Sequence, residues 1–118
     1  MAIRKIELYG SPVLRERASS VEAITLEVQQ LLDDMVDTMR QAGGAGLAAN
    51  QVGVPKRIMV IDLGAQEGKE NLAYFINPEF TFQEGEAVQE EGCLSIPKIF
   101  ERVRRPARVG VRALDWEG

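Results

Sequence analysis

The sequence predicts an α+β fold, in which one amphipathic helix in the N-terminal half packs with short, mainly antiparallel strands. Apolar residues recur at helical spacing between Thr25 and Ala42. Beyond them the pattern changes to short β-rich runs separated by Gly and by Asn-Pro. A length of 118 residues with 45% hydrophobic composition is typical of one core, so a single domain is expected over residues 1–118.

The helix is expected to extend from Thr25 to Ala42. Its apolar face consists of residues three and four positions apart: Val28, Leu31, Leu32, Met35, Val36 and Met39. The Thr25 hydroxyl can cap the first turn, and Glu27 suits the positive end of the helix dipole. Gly43-Gly44 can supply the left-handed residue that ends a helix. This face is expected to form core and to carry no chemistry.

Four later segments favour strands: 58–63, 72–76, 80–82 and 107–114. Asn77-Pro78 and Gly85 are expected to interrupt them, and the polar stretch from Gly64 to Asn71 is expected to be an exposed loop.

The last of these segments alternates, which predicts a half-buried strand with Val109, Val111 and Ala113 on one face and Arg108 and Arg112 on the other. The tetrapeptide from Asp115 to Gly118 then favours a type I turn, a common start for the return leg of a hairpin. Because no return strand follows, we expect the fold to be truncated at its C-terminal end.

Composition excludes several classes of function. A net charge of -4 argues against binding to nucleic acid or to an anionic membrane by this chain itself. The arginines at 102, 104, 105 and 108 are interpreted as the solvent face of a strand. A single cysteine fits a reducing compartment, and no signal peptide or transmembrane run is found. Histidine is absent, so any mechanism drawn from these residues must work without it.

Two short motifs can carry chemistry. The first, Gly44 to Gln51, is a run of small residues closed by a side-chain amide. It lacks the lysine and hydroxyl of a phosphate loop, and it can serve either as a helix cap with a tight crossing or as a place of close backbone approach to a ligand. The second, Glu91 to Pro97, contains Cys93, which by itself is either a small buried apolar residue or a reactive one.

Taken together and in this order, the motifs G-A-G-L-A-A-N-Q and E-G-C-L-S resemble the first two signatures of peptide deformylases at every position. The stretches from Tyr9 to Arg15, from Ile76 to Pro78 and from Val111 to Asp115 are also similar to the family. The resemblance covers essentially the whole chain. It implies an incomplete peptide deformylase-like fold and removal of the formyl group from the N-terminal formyl-methionine of nascent polypeptides.

The resemblance also implies roles for individual residues. Cys93 would be the thiolate ligand of a divalent metal, Fe²⁺ by resemblance, with Zn, Ni or Co as alternatives. The Gln51 amide and the Leu94 backbone N–H would stabilise the negatively charged oxygen of the tetrahedral intermediate.

The substrate-binding residues implied by the resemblance lie on both motifs. The backbone of Gly44, Ala45, Gly46 and Gly92 would pair with an extended N-formyl-methionyl peptide. Glu91 would hold its loop, with Arg105 as the expected partner.

One departure from the family pattern matters as much as the match. The third signature, H-E-x-x-H, supplies two metal ligands and a general base in the family, and no histidine is present here. We therefore expect this chain alone to retain no metal and to be inactive. The helix carrying that signature would also cover the Val28 to Met39 face, so its absence is expected to leave apolar surface open to self-association or to a complementing C-terminal chain.

Three interpretations follow from the sequence. The preferred one is an enzyme fragment, and the others are one subunit of a split enzyme and a non-catalytic peptide-binding module on the same scaffold. In each case we expect a cytoplasmic protein of bacterial type, with an organellar origin and association with the ribosome left open.

Overall fold

The computed structural model describes residues 2–64 and 71–118, so most of the loop predicted from Gly64 to Asn71 lies outside the described residues. The helix and strands are α1 (Leu26–Gln41), β1 (Gly46–Ala48), β2 (Ile58–Asp62), β3 (Leu72–Glu84), β4 (Ala87–Cys93), β5 (Ile96–Arg105) and β6 (Arg108–Leu114). Short 3-10 helices occupy Pro12–Arg15 and Ala49–Val52. No helix within the described ranges has both the length and the apolar character needed to cross a membrane.

The predicted helix is confirmed. Thr25 caps it, its hydroxyl accepting a hydrogen bond from the Val28 N–H at 3.3 Å. Gly43 ends it with a φ of 72°, and the Gly44 N–H donates to the Met39 carbonyl at 3.0 Å.

The apolar face of α1 is buried against the sheet, together with residues of β1, β2 and β3. The buried apolar residues are Leu31, Leu32, Met35, Val36, Met39, Leu47, Ala49, Val52, Ile58, Val60 and Ile76. The expectation that this face of the helix would be left uncovered is therefore wrong. Exposed apolar surface lies elsewhere, for example at Phe80 and Phe100.

The strands form two antiparallel groups, a four-stranded sheet in the order β1-β2-β3-β6 and the separate hairpin β4-β5. The segments 72–76 and 80–82 belong to one long strand, β3, and Asn77-Pro78 lies at a register shift inside it. Asn77 has a φ of 54°, and its side chain both accepts from the Val21 N–H and donates to the Val21 carbonyl, each at 2.8 Å. This pair of bonds holds the bulge against the N-terminal segment.

The final strand is present, but the prediction that it is half buried is wrong. Val109 and Val111 are 46% and 37% exposed, because β6 pairs with the part of β3 that extends beyond β2, and no second layer of described residues covers it. The turn predicted at Asp115 is confirmed by the Gly118 N–H, which donates to the Asp115 carbonyl at 3.2 Å.

A buried carboxylate ties the N-terminal segment to α1 and makes a testable contribution to stability. Asp34, with a side chain only 6% exposed, accepts from Arg4 Nε at 2.9 Å and from Gln30 Nε2 at 2.8 Å. Burial by itself raises the pKa of Asp34, but the hydrogen bonds from Gln30 and Arg4 outweigh it, so the pKa is lowered. A lowered pKa in the folded state stabilises the fold above the unfolded-state pKa, and this contribution is lost as pH falls through the folded-state value.

We expect Arg4→Met to reduce the free energy of unfolding by about 1–2 kcal/mol at neutral pH, because it leaves the Asp34 carboxylate without its cation. Urea titrations across an acid series measure the effect. The difference from wild type should shrink once Asp34 is protonated. Lys5→Met, which removes an exposed cation one residue away, is the matched control. An Arg4→Met loss no larger than that of the control would contradict the assignment.

Candidate active site

The structure brings the two sequence motifs together. Gln51 lies in the 3-10 helix that follows β1, and Cys93 ends β4 at the tip of the β4-β5 hairpin. Although the two residues are 42 positions apart, Gln51 Nε2 lies 3.6 Å from Cys93 Sγ, and it donates to Ser95 Oγ at 3.2 Å. The thiol of Cys93 is exposed, so the interpretation of this cysteine as a small buried residue is wrong.

Local bonding fixes the orientation of the Gln51 amide. Its Oε1 accepts a hydrogen bond from the Ala48 N–H at 3.0 Å. A flipped amide would point its NH₂ group at that N–H, setting two donors against each other. The Nε2 donors therefore face Cys93 and Ser95.

An N-terminal segment, residues 7–9, bridges the two motifs through backbone hydrogen bonds. The Glu7 N–H donates to the Gln51 carbonyl at 2.7 Å, and the Tyr9 N–H donates to the Ser95 carbonyl at 2.8 Å. Ser95 is 3% exposed and so anchors the hairpin tip inside the protein. Sequence reasoning did not select Ser95 or residues 7–9 as part of the site. The motif E-G-C-L-S, which ends in Ser95, could have indicated this residue. Residues 7–9 contact the site through backbone atoms, so their side chains give no sequence signal for that role.

The glycines of the first motif permit a close approach between the two segments. A Cβ on Gly44 would lie 2.7 Å from Leu94 Cδ1, which indicates that the Leu94 side chain packs directly on the Gly44 backbone. Ala45 and Gly46 are exposed, and β1 is the end strand of its sheet. One edge of β1 is therefore free of a partner strand within the described part of the chain.

The second motif is stiffened by a bidentate ion pair. Arg105 donates from Nε and Nη2 to the two carboxylate oxygens of Glu91 at 2.6 and 2.7 Å, across the β4-β5 hairpin. The hydrogen bond from Arg105 lowers the pKa of Glu91, which keeps this carboxylate ionised. The predicted pairing of Glu91 with Arg105 is confirmed.

A cavity of about 780 Å³ adjoins these residues, and its lining includes all eight predicted site residues except Glu91. Within the described residues no group of three Cys, His, Asp or Glu side chains could hold a metal ion. Cys93 offers one sulfur atom, whereas a catalytic zinc-type site needs three protein ligands, so the donors present do not by themselves fit a metal. The arrangement places one exposed cysteine sulfur and one oriented amide donor side by side at an open cavity.

Comparisons with known proteins agree with this description. The model of the polypeptide deformylase family matches residues 3–118. A peptide deformylase from Caldanaerobacter subterraneus subsp. tengcongensis is 50% identical over 118 residues, which are 100% of this chain and 71% of the relative.

Two solved structures are similar over almost all of this chain. A Legionella pneumophila peptide deformylase has a TM-score of 0.94 at 44% identity, covering 99% of this chain and 68% of its own. A class I type b peptide deformylase from Acinetobacter baumannii with Met-Ala-Ser bound has a TM-score of 0.90 at 29% identity, covering 99% of this chain and 79% of its own. The chain therefore belongs to the polypeptide deformylase family, a family of metal-dependent hydrolases that act on formylated peptides.

Proposed function

We propose that these 118 residues form the oxyanion-binding and peptide-binding part of a deformylase acting on N-formyl-methionyl peptides. The observation that carries the proposal is the position of the Gln51 amide, 3.6 Å from the Cys93 sulfur at an open cavity. Attack on a formyl carbon places negative charge on the formyl oxygen, and fixed donors lower the barrier to forming it. Gln51 Nε2 and the Leu94 N–H are the two donors assigned to this oxygen.

The free edge of β1 is assigned to the peptide backbone. Gly44, Ala45, Gly46 and Gly92 present little side-chain bulk, so an extended peptide can hydrogen-bond along the edge as an added strand. The Met-Ala-Ser peptide bound by the Acinetobacter baumannii relative supports this assignment. Glu91 and Arg105 act indirectly, by holding the hairpin that carries Gly92.

Cys93 is assigned as the thiolate ligand of the divalent metal, with Fe²⁺ as the expected ion and Zn, Ni or Co as substitutes. The two further ligands have to come from outside these 118 residues, because no histidine is present among them. We infer that the chain by itself binds no metal stoichiometrically and releases no formate. We also propose that the protein acts in the cytoplasm.

A hybrid protein tests this function. Residues 1–118 are joined to a C-terminal segment that carries the H-E-x-x-H signature. The hybrid is loaded with Fe²⁺ under anaerobic conditions and assayed for formate release from formyl-Met-Ala-Ser. We expect turnover by the hybrid and none by residues 1–118 alone, with an acetylated peptide as the substrate control. A folded, metal-loaded hybrid that binds the peptide but releases no formate would instead favour a peptide-binding module.

A further inference from the structure

The β4-β5 hairpin contains a large bulge directly beside Cys93. In the strand register Gly92 lies opposite Phe100, whereas Cys93 lies opposite Ile96. Between these two pairs, residues 97–99 of β5 have no partner residue on β4. Bulges of this kind bend a strand and re-aim its side chains, and they are frequent beside binding sites.

The centre of the bulge is Lys98, which has a φ of 65°. This left-handed conformation is uncommon for a residue with a long side chain and costs free energy relative to glycine. A lysine therefore occupies a position that glycine would adopt more easily.

All three residues of the bulge line the cavity that holds Gln51 and Cys93. Among the lining residues that the structure describes, Lys98 is the only Lys, Arg, Asp or Glu. Its side chain is exposed and takes part in no ion pair among the described residues. By contrast, the nearby Glu91 is matched by Arg105. The rim of the cavity thus carries an uncompensated positive charge.

We propose that the 97–99 bulge is a selectivity element, in which Lys98 favours peptides with acidic side chains downstream of the N-terminal methionine. The inference rests on the proposed function, because it assigns the cavity to a formylated peptide. A peptide paired with the free edge of β1 extends out of the cavity past its rim, where the residues after methionine meet the bulge. Lys98 is a specificity residue and takes no part in the chemistry.

The experiment compares binding of formyl-Met-Asp-Asp amide and formyl-Met-Lys-Lys amide to the 118-residue chain, followed by backbone amide NMR shifts. This titration detects millimolar affinities and needs no metal. For wild type we expect the acidic peptide to bind about fivefold more tightly at low salt, the scale of a partly exposed charge pair, and this preference to vanish at high salt. Lys98→Glu should reverse the preference, and Lys98→Arg should retain it.

Two further variants separate charge from backbone effects. Lys98→Gly suits the positive φ but removes the charge, so it should bind both peptides equally while remaining folded. Arg102→Glu makes the same charge change on β5, about 13 Å along the strand from Lys98. At about 0.15 M salt, where the screening length is about 8 Å, it should change the preference much less than Lys98→Glu does.

Equal binding of the two peptides by wild type and by Lys98→Glu would overturn the proposal, as would the absence of shifts around Gly44 and Gly92 with either peptide. The proposed function is tested separately, by measuring formate release by the hybrid; a hybrid that releases none would count against the function and not against the role of Lys98. A hybrid that deformylates acidic and basic peptides equally well would leave the function standing and reject the role of Lys98.

Discussion

Gln51→Ala should slow deformylation by the hybrid that carries an H-E-x-x-H segment about 10²- to 10³-fold in kcat, the usual cost of removing one oxyanion donor. The structure provides the reason: Oε1 is held by the Ala48 N–H, so Nε2 is pre-oriented beside Cys93 without rearrangement. The measurement is formate release by the hybrid under saturating peptide. KM should change much less than kcat, because the donor acts mainly on charge that develops during the reaction.

Two controls sharpen this result. Gln51→Glu retains the size of the side chain but replaces the donors with a carboxylate, so it should be at least as slow as the alanine variant. Gln83→Ala removes an exposed amide from β3 and should react like wild type. Equal kcat values for Gln51→Ala and Gln83→Ala would contradict the role assigned to Gln51.

Cys93→Ala should abolish activity for a different reason, loss of the metal. In the proposed site the Cys93 sulfur is one of three metal ligands, and removing one of three ligands from a catalytic site weakens metal binding by orders of magnitude. Elemental analysis of the hybrid should therefore show a metal content well below one equivalent for Cys93→Ala. Gln51→Ala, with the metal retained, is the matched comparison. A Cys93→Ala hybrid that holds one equivalent of metal and remains active would exclude the assignment.

Local patterns predicted the helix and its ends well. The apolar spacing from Val28 to Met39, the Thr25 cap and the Gly43 stop are all properties of neighbouring residues, and each is confirmed. The turn at Asp115 belongs to the same class. Such features depend on short-range geometry, which the sequence expresses directly.

Burial and strand pairing were predicted less well, because they depend on which surfaces meet. The alternation of β6 correctly indicates a strand, but nothing in Val109 or Val111 shows that no second layer covers that part of β3. The β4-β5 hairpin was predicted only in part. The arginines at 102, 104 and 105 were interpreted as the solvent face of a strand, and they lie exposed on β5. The strand Ala87–Cys93 and its pairing were not predicted, since the residues are charge-rich and the shape of the hairpin is set by the Glu91 pair with Arg105 and by the buried Ser95. β1 was not predicted either, because its three residues lie in a glycine-rich motif without the alternating pattern of a strand.

The candidate site also depends on contacts between residues that are distant in the sequence, which local patterns do not predict. Composition and periodicity could not place Gln51 next to Cys93, and only the resemblance to a family suggested that they meet. The Tyr9 N–H bond to the Ser95 carbonyl connects backbone atoms, so side-chain identity carries little information about it. The roles of Gln51, Leu94, the glycines and Cys93 stay predictions.

The most direct test of the account is X-ray absorption at the metal edge of the loaded hybrid. If Cys93 is a ligand, the spectrum should contain one sulfur at about 2.3 Å for zinc, or at a similar distance for iron, together with two imidazole nitrogens. The sulfur contribution should disappear in Cys93→Ser. A metal shell made only of nitrogen and oxygen in the wild-type hybrid would contradict the assignment of Cys93 as a ligand.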